Sequence, residues 1–270
     1  MRQITSKDNP KIKEYVRLCG SRKSRTESEC FVLEGMRLVC DAHKSGVRIG
    51  LLLVTEEGMT RLGERFAALS DAAGETVLID RRMAGQIAQT ETPQGVFAVC
   101  EGALWRGEPS SPPALGQGAL LLCSLQDPGN VGTIIRSAEA FGLSAVLMSA
   151  DCPDPASPKV LRASMGAAMR LPLYRCPDPA ETVRRLRGAK IPVFAAALGE
   201  RSVPVGEVSL QGAVVAVGNE GAGLSEEFCA LCDRRVILPI APGSESLNAA
   251  MAASIFAWEL SRAARGEENR

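Results

Sequence analysis

The sequence predicts an α/β protein, with a C-terminal domain built on a mainly parallel sheet and a smaller N-terminal α/β domain. Three observations predict this. From Ala119 onward, short runs rich in Val, Leu, Ile and Ala alternate with helix-length segments, the alternation of a repeated β-α unit. Those runs are apolar at every position rather than every second one, as strands covered on both faces are. One stretch, Trp105–Gly118 (WRGEPSSPPALGQG), packs three Pro, three Gly and two Ser into a segment without periodicity, which reads as a linker. It leaves a first domain over 1–104 and a second over 119–270, both of ordinary size.

The elements follow in order. Residues 1–25 hold Arg2, Lys7, Lys11, Lys13, Arg17, Arg22, Lys23 and Arg25 against only Asp8 and Glu14. Within them Ile12, Tyr15, Val16 and Cys19 recur at helical spacing, so the charges flank an amphipathic helix. Cys30–Gly35 reads as a short strand entering a helix that runs through Cys40 and Ala42. Gly50–Val54, Thr76–Ile79 and Gly95–Cys100 read as buried strands. In the second domain Ala119–Ser124 is a strand and Val131–Phe141 a helix closed by Gly142. Ala145–Ser149 is a strand and Lys159–Ala168 a helix. After Pro179 a helix carrying Arg184, Arg185 and Arg187 leads to the strand Pro192–Ala197. Ala213–Val217 and Val236–Ile240 are strands around a helix over Ser225–Leu231, and Leu247–Ala264 is a long Ala-rich helix.

Composition narrows the chemistry. The chain has 270 residues, 31 basic against 31 acidic, and 46% hydrophobic content, so it folds without needing disulfides or a metal. A single His, His43, argues against His-rich metal sites and His-relay hydrolases. Zero net charge argues against a strongly basic chromatin-type binder but leaves RNA open, since binding depends on local patches. The nine Cys lie largely in apolar runs, as buried thiols of a reducing compartment do. Cys229 and Cys232 form one C-x-x-C, without the second pair or nearby His of a zinc site, so no metal is expected. The first residues carry no apolar stretch of a signal peptide, and no apolar run reaches the roughly 18–20 residues that span a bilayer. The expectation is a soluble cytoplasmic protein with no membrane contact.

Three segments at strand ends carry the chemistry. Ligands of open α/β sheets bind at the C-terminal ends of strands. After Ala119–Ser124 come Leu125-Gln126-Asp127-Pro128-Gly129-Asn130-Val131-Gly132 and, one to two turns into the helix, Arg136. Asp127-Pro128-Gly129 is a tight turn, and Arg136 carries a permanent, fork-shaped charge. After Ala213–Val217 comes Gly218-Asn219-Glu220-Gly221-Ala222-Gly223, where glycines let backbone approach a ligand closely. It is neither a phosphate-binding Walker loop nor the dinucleotide fingerprint. After the strand at 236–240 come Ser244, Ser246, Leu247 and Asn248, with Ser246 a candidate N-cap for the last helix. Each segment also has a purely structural reading as a turn or a cap.

Together the three segments resemble the signature motifs of the SpoU (TrmH) family of RNA 2′-O-methyltransferases, in the SPOUT superfamily. Asn130-x-Gly132-x-x-x-Arg136 is similar to the first motif and Gly218-Asn219-Glu220-Gly221-x-Gly223 to the second. Leu238-Pro239-Ile240 with Ser246-Leu247-Asn248 is similar to the third. The N-terminal domain resembles the small RNA-binding domain, related to ribosomal proteins, that many such enzymes carry. The stretches Phe31–Gly35 and Thr92–Val96 suggest it.

The resemblance implies a deep trefoil knot, S-adenosylmethionine as methyl donor, and a homodimer formed through the C-terminal domain, with Met251, Ile255, Phe256, Trp258 and Leu260 of the last helix available to it. It implies a donor pocket built from Leu198, Gly218, Gly221, Leu238, Ile240 and Leu247. It assigns catalysis to Arg136, with Asn130, Glu220, Ser246 and Asn248 orienting substrate and loops. Structured RNA, rRNA rather than tRNA, would be held by Lys7, Lys11, Arg22, Lys23, Arg25 and Arg162, and by a mid-chain cluster of Lys159, Arg170, Arg175, Arg184, Arg185 and Arg187. Three other readings remain beside it: the same chemistry on tRNA, a non-catalytic RNA-binding protein that keeps the fold, and an α/β dehydrogenase lacking the usual fingerprint.

Overall fold

The computed structural model describes residues 1–107, 115–241, 243 and 246–266. The chain divides into two compact units: Met1–Leu104 with Asp154–Arg170, and Trp105–Pro153 with Leu171–Arg270.

The first unit runs β1 (Arg2–Ile4), α1 (Pro10–Gly20), α2 (Arg22–Ser28), β2 (Cys30–Glu34), α3 (Met36–Lys44), β3 (Arg48–Val54), α4 (Glu56–Leu62), α5 (Arg65–Ala72), β4 (Glu75–Ile79), α6 (Arg81–Ile87) and β5 (Val96–Glu101). Its sheet has the order β1-β4-β3-β5-β2, with β5 antiparallel to both neighbours and the other pairs parallel. Helix α1 starts where Asn9 accepts the Lys11 amide at 3.0 Å and Pro10 opens the first turn, a sequence-local start signal. Its buried seam is Ile12, Tyr15 and Leu18, whereas Val16, expected on that seam, is exposed. The strands expected at 50–54, 76–79 and 95–100 are present as β3, β4 and β5. β1 is too short to show a period, and pairs with β4 only in the folded sheet.

The second unit begins with β6 (Ala119–Leu122), α7 (Pro128–Ala140) and β7 (Ala145–Ser149). The next stretch, Asp154–Arg170 with α8 (Pro158–Ala163), belongs to the first unit. A cut at the linker alone therefore does not describe the molecule. The physical reason is a buried ion pair: Arg25 Nε meets Asp154 Oδ2 at 2.8 Å, with both side chains under a tenth exposed, and α8 packs on β2.

The chain continues as β8 (Leu173–Cys176), α9 (Pro179–Gly188), β9 (Val193–Ala196), β10 (Val203–Pro204), β11 (Val214–Val217), α10 (Glu226–Leu231), β12 (Arg234–Ile237) and α11 (Ala249–Ala264). Among the described residues seven strands lie in the order β10-β12-β9-β11-β6-β7-β8, every pair parallel, as the uninterrupted apolar runs predict.

Three boundaries differ from the sequence reading, and the first is α8, expected to reach Ala168 but ending at Ala163. β12 starts at Arg234 and stops at Ile237, so Leu238–Ile240 is loop. The last helix is capped by Asn248, not Ser246, because the Asn248 carboxamide oxygen accepts the amides of both Ala250 (2.9 Å) and Met251 (3.3 Å). Of the linker, Trp105–Gly107 lies along β8, with the Arg106 amide donating to Leu173 at 2.8 Å and the Arg175 guanidinium 5.2 Å from the Trp105 ring. Residues 108–114 lie outside the described residues. None of the nine cysteines forms a disulfide, and seven of them are buried. Among the described residues no helix is long and apolar enough to cross a membrane.

Candidate active site

A parallel sheet delivers all its strand exits to one edge. Here β12, β9, β11 and β6 are consecutive neighbours, so the loops that follow them emerge side by side, the place where such sheets hold ligands. β11 and β6 end in register, Val217 beside Leu122.

The β6 exit turns at Ser124, whose φ of 57° is left-handed. Asp127 then caps α7 by accepting the Asn130 amide at 2.8 Å. The β11 exit is a closed turn: the Asn219 and Gly223 backbones pair at 3.2 and 2.9 Å, and the Asn219 side chain accepts the amides of Gly221 and Ala222, each at 2.9 Å. A Cβ on Gly218 would lie 2.3 Å from the Gly223 carbonyl carbon, so only glycine permits this closure. Asn219 also donates to the Ser124 carbonyl at 2.8 Å, tying the two exits together.

Glu220 strengthens that tie. Its carboxylate accepts the amides of Gln126 (3.0 Å) and Asp127 (3.2 Å) and the Asn130 side-chain amide (3.0 Å). Partial burial pushes its pKa up, but the hydrogen bonds from Asn130, Gln126 and Asp127 together outweigh burial and hold it below the usual value. Asn248 donates to the Asn130 carboxamide oxygen at 3.1 Å. One hydrogen-bonded chain, Glu220–Asn130–Asn248, thus joins all three sequence motifs. In this setting Glu220 is a fully engaged acceptor that orients its neighbours.

Beside this chain lies a pocket of about 440 Å³, lined by the Gly218–Leu224 turn and by Leu198, Leu238, Ile240, Ser246 and Leu247. Leu198 is 74% exposed, and Ile240 and Leu247 about 40%. Large apolar side chains left open around bare backbone form a site for a flat apolar ligand with a few polar edges. An adenosine carrying a charged sulfonium side chain matches that donor set. All six residues expected at the donor pocket line it. Ser244, a further polar candidate, lies outside the described residues.

Arg136 lies on the outer face of α7, opposite the buried Ile134, Ile135 and Ala138. It is exposed and has no hydrogen-bond or ion-pair partner among the described residues. α11 packs on α7, with the Ser254 hydroxyl donating to Ser137 at 2.7 Å and Phe141 edge-on to Trp258 at 5.5 Å. Phe256 and Leu260 are buried, whereas Met251, Ile255 and Trp258 stay exposed.

The basic residues expected to grip RNA separate by environment. Arg25 is corrected: it is buried, bonded to Asp154 and, through Nη1, to the carbonyls of Leu18 (2.6 Å) and Cys19 (3.2 Å), so it faces no solvent ligand. Lys11 pairs with Glu75, and Lys23 meets Glu27 at 3.7 Å while staying exposed. Lys7 is exposed, and Arg22 is half-buried. Arg162 is half-buried with Nη1 enclosed. Of the mid-chain cluster, Arg184 and Arg185 pair with Glu181, and Arg187 with Asp233.

Two further groups shape the site and are not evident from the sequence motifs. Asn219 stands there as one residue of a glycine-rich turn, although Asx side chains that bond the backbone two residues on are a known turn signal. Ser149 at the end of β7, with Asp151 just beyond it, braces Ser124 and carries no sequence signal because Ser124 is 25 residues away.

The same architecture recurs in known proteins. The profile of the SpoU rRNA Methylase family matches residues 118–258, and that of the MRM3-like substrate binding domain matches residues 9–98. The chain is 32% identical to a 23S rRNA guanosine 2′-O-methyltransferase of Bacillus subtilis, over 96% of this chain and 99% of that protein. It is 31% identical to a 23S rRNA uridine 2′-O-methyltransferase of Streptomyces viridochromogenes, over 97% of this chain and 92% of that one. The AdoMet-bound rRNA methyltransferase of Sinorhizobium meliloti superimposes with a TM-score of 0.83 at 30% identity, covering 100% and 99% of the two chains. With its three motifs hydrogen-bonded around one pocket, the family profile matching residues 118–258 and these relatives covering more than nine-tenths of it, the chain belongs to the SpoU rRNA methylase family.

Proposed function

We propose that this protein transfers a methyl group from S-adenosylmethionine to a ribose 2′-hydroxyl of ribosomal RNA, working as a homodimer. The observation that carries the reading is the junction of the Glu220–Asn130–Asn248 chain with the apolar pocket. The relatives named for rRNA 2′-O-methylation and for bound AdoMet support the substrate and the donor.

When bound, S-adenosylmethionine supplies an electrophilic methyl, so the protein's task is alignment and assistance. Leu198, Leu238, Ile240 and Leu247 would enclose the adenosine, and backbone groups of the Gly218–Gly223 turn would meet its polar edge. A ribose hydroxyl is a poor nucleophile near neutral pH and must lose its proton as it attacks. Arg136 acts on that hydroxyl. Its pKa above about 12 makes it a poor proton acceptor. Bound to the neighbouring phosphate, its charge lowers the pKa of the hydroxyl, whose proton passes to solvent water, and stabilises the developing oxyanion. Asn130, held from both sides by Glu220 and Asn248, fixes the start of α7 and so the helix from which Arg136 projects. Lys7, Arg22 and Lys23 supply phosphate contacts from the first unit.

The test combines calorimetry with S-adenosylmethionine and methyl transfer to ribosomal RNA and to tRNA. Wild-type protein should bind the donor and methylate rRNA. Arg136→Ala should keep donor binding and lose methylation about 100-fold or more, the scale of removing one transition-state charge donor. Donor binding with unchanged methylation in Arg136→Ala sinks the assignment of Arg136. Transfer to tRNA alone overturns the rRNA reading.

A further inference from the structure

A second concavity lies next to the donor pocket and takes no part in it. It measures about 780 Å³ and is walled by the loop Gly199–Val203, helix α10 and the start of β12. The loop is shared: Leu198 lines the donor pocket, while Gly199–Arg201 line this cleft. Among the described residues three arginines line it: Arg201, Arg234 and Arg235.

They differ in what holds them. Arg235 is locked in a fork on Glu226, Nη1 to Oε1 at 2.9 Å and Nη2 to Oε2 at 2.5 Å. Its guanidinium lies against Gly199, where a Cβ would come within 2.1 Å of Nη1. Asp233 is likewise engaged, by Arg187 Nε at 3.0 Å and the Val193 amide at 2.8 Å. Among the described residues Arg201 and Arg234 have no partner, with Glu200 the one remaining acidic group on the wall. Arg201 sits at φ 83°, a left-handed setting that disfavours side chains. Ser202 maintains it, its hydroxyl donating to the carbonyls of Ala197 (3.2 Å) and Gly199 (2.7 Å). A strained turn thus presents an unpaired guanidinium to a charged cleft.

The lining also says what the cleft does not take. Among the described residues no aromatic side chain lines it, so it offers no platform for stacking a base. Burial pushes the Cys229 thiol up, and the Cys232 thiol up to about 12, so both are neutral and add no negative charge to the cleft.

We propose that Arg201 and Arg234 bind a backbone phosphate of the RNA substrate in this cleft, reading no base and fixing the strand's course past the donor pocket. The inference rests on the RNA-methyltransferase reading above. Guanidinium forks suit phosphate geometry, and such contacts position the nucleic acid without specifying sequence.

The test measures binding of a fluorescently labelled RNA hairpin as a function of salt. The variant pairs Arg201→Gly with Arg234→Ala. Glycine suits the left-handed turn, so the charge is lost without backbone strain. Donor calorimetry and thermal melting report whether the fold is intact. RNA affinity at low salt should fall about tenfold. The slope of log K against log salt should become shallower by about 0.7–0.9, the contribution of one phosphate contact. The pair Arg201→Lys with Arg234→Lys should keep most of the slope. Unchanged affinity and slope in the Gly/Ala variant, beside a wild type that binds RNA and methylates it, overturns this inference and leaves the function standing. A wild type that binds no RNA overturns both.

Discussion

The Ser149 hydroxyl accepts the backbone amide of Ser124 at 2.8 Å and donates to the Asp151 carboxylate. This relation sets the site, because Ser124 is the left-handed residue from which the first motif departs. Asn219 and the Gln126 side chain bind its carbonyl from the other side, at 2.8 and 3.0 Å.

Ser149→Ala removes the acceptor and leaves a non-glycine residue in a costly conformation. We expect a stability loss of about 1–2 kcal/mol and a fall in kcat of about tenfold or more, since small misplacements of reacting groups are costly. Ser124→Gly should restore much of the loss, because glycine adopts that turn unaided. A double-mutant cycle on kcat and melting temperature checks it. Additive losses in the cycle count against the coupling.

Hydrogen bonds from Ser124 and Ser149 hold the Asp151 carboxyl below its usual range, and the Glu220 carboxyl is also lowered. A carboxyl lowered in the folded state stabilises the fold above its unfolded value near 4, and that contribution is lost as pH falls through the folded value. Melting temperature should therefore decline below about pH 4 partly through these two groups. Asp151→Asn and Glu220→Gln should each flatten that acid limb. Glu220→Gln should also lower kcat at neutral pH by about 10- to 100-fold, since one carbonyl oxygen cannot serve three donors. Melting curves from pH 3 to 7 and single-turnover rates measure both effects.

Arg25 and Asp154 form a buried pair, and removing one partner strands the other charge. Arg25→Met or Asp154→Asn should each cost about 3–5 kcal/mol, whereas Arg25→Met with Asp154→Leu should recover most of it. Denaturant melts of the three variants decide it. A single variant as stable as wild type contradicts the burial of the pair.

Met251, Ile255 and Trp258, at spacings of four and three residues, form an exposed apolar stripe along α11, the pattern of a self-associating helix face. Replacing all three by Ser should shift the sedimenting mass from dimer to monomer. A wild type that sediments as monomer ends the dimer proposal.

Much of the second unit is legible in the amino-acid sequence. The apolar runs at 119–124, 145–149 and 213–217 predict parallel strands because strand burial on both faces leaves a one-dimensional trace. Asp127-Pro128-Gly129 and the 218–223 glycines predict turns because turn conformations are selected by single residues. Less legible is the first unit, where β1 and α4–α6 are short and owe their form to packing.

The residue types at each strand exit and the backbone freedom of the turns are written in the chain itself, since both are properties of adjacent residues. How those residues are used is settled only by folding. It buries Arg25 against Asp154, 129 positions away, makes Asn248 the cap in place of Ser246, and turns Glu220 into the acceptor that binds two motifs together. It also leaves Arg201 and Arg234 without partners among the described residues, in a cleft next to the apolar pocket. Charge counts and spacing describe the chain along its length, whereas burial, pairing and the pKa of a carboxylate depend on atoms that only folding brings near.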